Sequence, residues 1–342
     1  MASSPGGRKP LVVSLGDPKY IGKEYLDSLR KDFDFQVLDA INRAETIEKL
    51  PKLVTEYGPV DAFIIRMGTP AYEPFDKELL GALVPHCKII ASASAGYNEF
   101  DVDWMTKNGI WFCNTIDGVA EATADMALFL ILAVLRNTTV AERQARNGTW
   151  KQGIVPSKDP TGLTLGIVGM GSIGKYIAKK AAVFNMKILY HNRHQLSPAE
   201  ESKYSATYAA SLHDLLRSSD VVSISCPLNA ETTNLISTKE FAAMKDGVYF
   251  VNTARGAIVD EDALVEALQS GKVTRAGLDV VVNEPHVRDE LRQGELSELK
   301  VILQPHMGGL TDVAFHKSEK ECFENIKSLF KTGRPVAPVN EV

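Results

Sequence analysis

The feature that most narrows what this chain can fold into is a glycine pattern set between an apolar run and a helix. Gly169-x-Gly171-x-x-Gly174 follows the run Leu163 to Val168 and opens an amphipathic stretch, Ser172 to Phe184. Each glycine has its own reason at this spacing. The first allows a tight turn, the second lets the backbone approach a bulky ligand, and the third lets helix and strand pack closely. The N–H groups that open the helix then face an anion. A strand, glycine loop and helix in this order form a dinucleotide-binding element. Its candidate residues are Gly169, Met170, Gly171, Ser172, Ile173 and Gly174. A tight strand-to-helix turn that binds nothing is the alternative.

The rest of the chain repeats the alternation. Strands are expected at Leu11 to Leu15, Ala62 to Ile65, Lys88 to Ala91 and Ile110 to Cys113. A second series holds Leu163 to Val168, Lys187 to Tyr190, Val221 to Ser225, Val248 to Val251, Ala276 to Val280 and Val301 to Leu303. Helical patterns separate them, such as Ile21 to Leu29, which argues for parallel βαβ units. Gly118 to Arg136 reads as a long helix with Asp117 as its N-cap. Asn147-Gly148 and Pro156 to Gly162 read as loop, with a domain boundary in that region. Phe315 to Phe330 reads as one amphipathic helix.

Composition excludes several classes of function. The 342 residues are enough for about two domains. A net charge of -5 without a Lys/Arg block gives no nucleic-acid footprint. The longest apolar run, Met126 to Leu135, is too short for a bilayer span of about 20 residues and reads as buried helix. The polar start, Met1 to Pro10, does not read as a signal peptide. Cys87, Cys113, Cys226 and Cys322 form no CxxC pair, as expected of reduced thiols in a cytoplasmic protein, and no metal site is expected.

The second strand of the later series ends at Tyr190-His191-Asn192-Arg193, and Asn192 lies 18 residues past Gly174. A site selecting NAD places a carboxylate near there to accept from the ribose 2′-hydroxyl. Asn with Arg beside it suits a 2′-phosphate instead. NADPH is therefore expected over NADH, with Asn192 and Arg193 as the selecting residues; an ordinary basic turn is the alternative.

Three further candidates follow later strands, where open α/β sheets place their sites. They are Arg255 in Asn252-Thr253-Ala254-Arg255-Gly256, Glu284 in Asp279 to Pro285, and His306 in Gln304-Pro305-His306. Singly, each has an ordinary reading: a solvated arginine, a Glu-Pro turn, a packed histidine. Together, downstream of a dinucleotide loop, they suggest a catalytic set.

These runs, with Cys226-Pro227-Leu228 and Met244-Lys245 to Gly256, resemble the D-isomer-specific 2-hydroxyacid dehydrogenases over nearly the whole chain. Tyr190 to Leu196 is most similar to fungal glyoxylate/hydroxypyruvate reductases, with D-mandelate dehydrogenases a close second. The resemblance implies Arg255, Glu284 and His306 as catalytic residues. Arg255 would clamp the substrate carboxylate and keto oxygen, and His306 would exchange a proton with that oxygen, oriented by Glu284. It also implies Thr123, Cys226, Pro227, Thr232, Thr253, Ala254 and Asp279 as cofactor residues. Ala95 and Gly96, in Ser94-Ala95-Gly96-Tyr97, would bind the substrate carboxylate together with Arg255 and His306, with Arg66-Met67-Gly68 nearby. Trp150 matches a tryptophan that reaches the neighbouring subunit's site in the reductase branch; a core or interface tryptophan is the alternative. Tyr97 departs from the smaller residue of many relatives, which bears on pocket size.

The implied fold is α/β: two Rossmann-like or flavodoxin-like doubly wound parallel-sheet domains with a cleft between them. Residues 1–116 and 308–342 would form a discontinuous substrate domain and 117–307 the dinucleotide domain, with hinges at Gly118 and Gly308 and the long helix building a homodimer. The implied function is reduction of a small 2-keto acid to the D-2-hydroxy acid. Two alternatives are an aromatic substrate of the mandelate type and a corepressor-like dinucleotide sensor on the same fold.

Overall fold

The computed structural model describes residues 8–342; Met1 to Gly7 of the polar start lie outside the described residues. The chain divides into two compact units. Unit 1 comprises residues 1–119 and 310–342, and unit 2 comprises residues 120–309. Against the expected limits of 116 and 307, the crossings fall three and two residues further along the chain.

Unit 1 is a five-stranded parallel sheet of β1 (Leu11–Leu15), β2 (Asp34–Leu38), β3 (Ala62–Ile65), β4 (Ile89–Ser92) and β5 (Trp111–Cys113). Its order is β2-β1-β3-β4-β5, the flavodoxin-like arrangement. The inner strands are buried on both faces and so read as unbroken apolar runs. The helix Asp312–Thr332 returns to this unit and buries Ala314, Cys322, Phe323 and Ile326. Its N-cap Thr311 accepts from the Ala314 N–H, and Gly333 closes it at φ 83°.

Unit 2 is a seven-stranded parallel sheet of β6 (Thr164–Val168), β7 (Lys187–His191), β8 (Ala206–Tyr208), β9 (Val221–Ile224), β10 (Val248–Asn252), β11 (Val273–Leu278) and β12 (Val301–Leu303). The order β12-β11-β10-β9-β6-β7-β8 is that of a Rossmann sheet with one added edge strand. The order reverses between β6 and β9, so the loops after those strands flank the switch point where such sheets bind ligands.

Three expectations need correction. β2 and β8 were not foreseen. Both are sheet edges with mixed burial, so neither carries the apolar run that marks an inner strand. The loop from Asn147 to Gly162 is no domain boundary, because the helix before it already belongs to unit 2. The long helix Ala120–Arg136, also in unit 2, packs on the helix Ser172–Val183 and on β10 and β11. Leu130 lies so close to β11 that a side chain on Gly277 would come within 3.0 Å of it. Finally, the helix starts at Ala120, so Asp117 does not cap it; the Asp117 N–H donates to Glu321 instead.

The run Met126 to Leu135 is mostly buried within unit 2. Its apolar excess therefore has an internal use. Among the described residues no single helix is long and apolar enough to cross a bilayer.

Gly118 and Gly308 are confined by packing. A Cβ on Gly118 would stand 2.6 Å from the Thr115 hydroxyl, and one on Gly308 would stand 2.9 Å from Asp279 Oδ2.

Candidate active site

The glycine loop joins β6 to the helix Ser172–Val183, which has no side-chain cap at Gly171. The first-turn N–H groups of such a helix have no partner within the helix and remain available to a ligand. Gly169 adopts φ 101°, and a Cβ there would stand 2.5 Å from the Cys226 N, the first residues beyond β6 and β9 being that close. A Cβ on Gly174 would stand 2.3 Å from the Gly169 carbonyl oxygen. These two glycines are required by the protein's own packing. Gly171 differs: a Cβ there would meet no protein atom within 4 Å. Besides its place as the helix N-cap, a close approach from outside the protein gives it a reason to lack a side chain. An approaching pyrophosphate supplies that reason, so the loop fits a dinucleotide.

Around this loop, Asn192 Oδ1 accepts from the Met170 N–H at 2.6 Å, which ties the end of β7 to the loop. Arg193 pairs with Glu231 at 2.8 Å, both side chains well exposed. The segment after β9 is braced by Thr232, whose hydroxyl donates to the Pro227 carbonyl at 2.7 Å. Cys226 is partly buried, and burial pushes its thiol up to about 11, so it stays protonated at neutral pH. The Thr253 hydroxyl, just beyond β10, is buried without a hydrogen-bond partner among the described residues, as is that of Ser225 beyond β9. Ala254 N–H donates to Asn252 Oδ1 at 3.0 Å, and Asn252 Nδ2 donates to the Arg255 carbonyl at 2.9 Å. This bracing sets the turn that presents Arg255.

The three candidate catalytic residues come together in unit 2. His306 Nδ1 lies 2.8 Å from Glu284 Oε2, with both side chains partly exposed. Burial works to raise the Glu284 carboxyl, but the hydrogen bond and charge of His306 outweigh it, helped by the Val281 N–H and by Arg255, so it sits below its ordinary value. Arg255 thus acts electrostatically on the same carboxylate. Gly256 makes this proximity possible. A Cβ there would stand 2.0 Å from the Val281 carbonyl carbon, so only glycine lets the two loops touch.

Asp279, expected to line the cofactor, also braces the turn that carries His306. Its oxygens accept from the Met307 and Gly308 N–H groups at 2.7 and 2.8 Å, and its carbonyl accepts from the His306 N–H at 2.8 Å. Burial holds its carboxyl above the ordinary value against those bonds. Asp279 therefore positions the His306 turn. Thr123 packs alongside, near Gly308. This bracing role and the Glu231 partner of Arg193 were missed from sequence, because no local pattern marks a contact that the fold alone creates.

In unit 1 the segment after β4 forms its own turn. Ser94 N–H donates to Ser92 Oγ at 3.2 Å, and Asn114 Nδ2 donates to the Ala95 carbonyl at 2.6 Å, next to Gly96. Tyr97 packs edge-on to Phe112. Arg66, after β3, lies over Gly16 and donates from Nε to the Leu15 carbonyl at 3.1 Å. Trp150 is 68% exposed on the segment after the helix Thr138–Arg146.

A family model described as D-isomer specific 2-hydroxyacid dehydrogenase, NAD binding domain, matches residues 128–308. A dehydrogenase of Hormonema carpetanum is 59% identical over 331 residues, 97% of this chain and 82% of its own. Among solved structures, a glyoxylate reductase from Paecilomyes thermophila matches with a TM-score of 0.88 at 38% identity, covering 97% of this chain and 98% of that one. The holo form of Rhodotorula graminis D-mandelate dehydrogenase matches with a TM-score of 0.89 at 33% identity, covering 98% of each.

Proposed function

The chain belongs to the D-isomer-specific 2-hydroxyacid dehydrogenases, and from that premise we propose that it reduces a small 2-keto acid, glyoxylate or hydroxypyruvate first, to the D-2-hydroxy acid. It is an oxidoreductase that uses a nicotinamide dinucleotide. The observation that carries the reading is the 2.8 Å contact between His306 Nδ1 and Glu284 Oε2 beside Arg255.

A nicotinamide dinucleotide held by the Gly169 to Gly174 loop would supply the hydride. Arg255 pairs with the substrate carboxylate and polarises the keto oxygen, for which a planar, permanently charged guanidinium is suited. Glu284 accepts the Nδ1–H of His306, which fixes the ring's orientation and leaves Nε2 for the substrate. His306 Nε2 then gives its proton to the keto oxygen, and takes it back in the oxidative direction. Asp279 holds the turn that aims the imidazole. The similar solved structures include both a glyoxylate reductase and a D-mandelate dehydrogenase, so an aromatic 2-keto acid belongs in the same test.

We place NADPH ahead of NADH. Asn192 spends its Oδ1 on the Met170 N–H, which leaves its amide N–H groups, with Arg193, as donors where a carboxylate would otherwise stand. Cysteines without disulfide partners favour a cytoplasmic setting, which fractionation tests. The exposed Trp150 and Val155 favour a homodimer, which sedimentation at several concentrations tests.

The deciding experiment follows nicotinamide oxidation with glyoxylate, hydroxypyruvate and phenylglyoxylate, each with NADPH and NADH. Turnover of the first two with NADPH is expected. No turnover with any 2-keto acid overturns the enzymatic reading. A cofactor ratio unchanged in Arg193→Ala removes Arg193 from cofactor choice.

A further inference from the structure

The carboxylate that is absent from the end of β7 is present across space, on another loop. Glu231 lies in the segment after β9, 38 residues beyond Arg193, and its Oε2 is 2.8 Å from Arg193 Nη1. The loop that carries it is held firmly. Asn229 Oδ1 accepts from the Glu231 N–H at 2.9 Å and from the Thr232 N–H at 3.1 Å. The Asn229 N–H in turn donates to Thr232 Oγ1 at 2.8 Å. The Glu231 backbone is thereby fixed, and its side chain reaches the same guanidinium that is assigned to the cofactor's 2′-phosphate.

The pair does little for stability. With side chains 76% and 69% exposed it is an open surface ion pair, a class whose contribution is near zero. Its effect falls on the ligand. A phosphate monoester carries a charge of about −1.5 to −2 at neutral pH. To reach Arg193 it must share the guanidinium with a carboxylate, well inside the Debye length of about 8 Å. A cofactor with a free 2′-hydroxyl carries no such charge and meets no such opposition.

We propose that Glu231 is a specificity-determining residue that limits the preference for a 2′-phosphorylated dinucleotide by competing for Arg193. The inference rests on the reading of Arg193 as the 2′-phosphate contact. Among the described residues the Glu231 side chain pairs with Arg193 and with none of Arg255, Glu284 and His306, so its effect falls on binding and leaves kcat alone.

The test uses wild type, Glu231→Gln, Arg193→Ala and the double variant. Calorimetry on the cofactor-free protein measures adenosine 2′,5′-bisphosphate against 5′-AMP, and kcat/KM is measured for NADPH and NADH. Glu231→Gln is expected to raise the preference for the 2′-phosphate about threefold to tenfold at low salt, through KM. The gain should shrink at high salt and disappear in the Arg193→Ala background. A ratio within twofold of wild type in Glu231→Gln, with Arg193→Ala still lowering it, overturns the role of Glu231 and leaves the Arg193 reading standing. A ratio unmoved by Arg193→Ala overturns the Arg193 reading and this inference with it. A gain that persists in the double variant overturns competition for Arg193 as the cause.

Discussion

Two turns of unit 2 meet the same backbone problem in opposite ways. Gly169, after β6, and His306, after β12, both have positive φ, 101° and 55°. At Gly169 the side chain is simply absent, which suits both the conformation and the 2.5 Å approach to Cys226. At His306 the side chain is the proposed proton donor and must stay, at a conformational cost of roughly 1–2 kcal/mol. Asp279 offsets it by accepting two N–H groups with its carboxylate and a third with its carbonyl. Leaving the Met307 and Gly308 N–H groups without these acceptors would cost about 1–3 kcal/mol each, which holds the turn against the strain. The glycine loop and the His306 turn thus differ in whether strain is avoided by composition or held by neighbours.

The largest expected effect separates the two turns by function. His306→Ala should lower kcat by about 10²–10⁴ while dinucleotide affinity is kept, measured by steady-state kinetics and a binding titration. Near-normal turnover would remove His306 from the chemistry. Asp279→Ala tests the holding network. It leaves the Met307 and Gly308 N–H groups without acceptors and should cost about 2–5 kcal/mol in urea unfolding, with turnover reduced as well. A loss under about 1 kcal/mol would show that the turn holds itself.

The glycine loop is sharpened by a pair of variants. Gly174→Val should destabilise by about 1–3 kcal/mol, because its Cβ would press on the Gly169 carbonyl. Gly171→Val should leave stability within about 0.5 kcal/mol and weaken dinucleotide binding, since its Cβ points into open space. Normal binding by Gly171→Val would mean that no pyrophosphate approaches there.

The smallest effect is in pH. The folded Glu284 carboxyl lies below its ordinary 4.5. A depressed carboxyl contributes stability that is complete above the unfolded value and is lost as pH falls through the folded one. The stability gap between wild type and Glu284→Gln should therefore be constant near neutrality and close below about pH 4.5. A gap that fails to close as pH falls below about 4.5 would contradict the His306 pairing.

Much of the architecture was legible because it is written in short-range pattern. β1 and β3 coincide with their apolar runs, and the helix Ser172–Val183 follows directly from the glycine spacing. Inner parallel strands are buried on both faces, so their composition declares them. β2 and β8 were illegible because an edge strand buries few side chains. Arg255, Glu284 and His306 could be singled out as residues after strands, but their convergence could not be read from their order in the chain.

By itself, the sequence determined the inner strands and where a dinucleotide loop must lie, because hydrophobic period and glycine spacing act over a few residues. Only the tertiary structure decided that Glu284 meets His306, that Asp279 braces the turn, that Gly256 lets two loops touch, and that Glu231 reaches Arg193. The physical reason is that these partners come from different strand ends. The sheet order β12-β11-β10-β9-β6-β7-β8 brings them into reach, and no local propensity encodes that order.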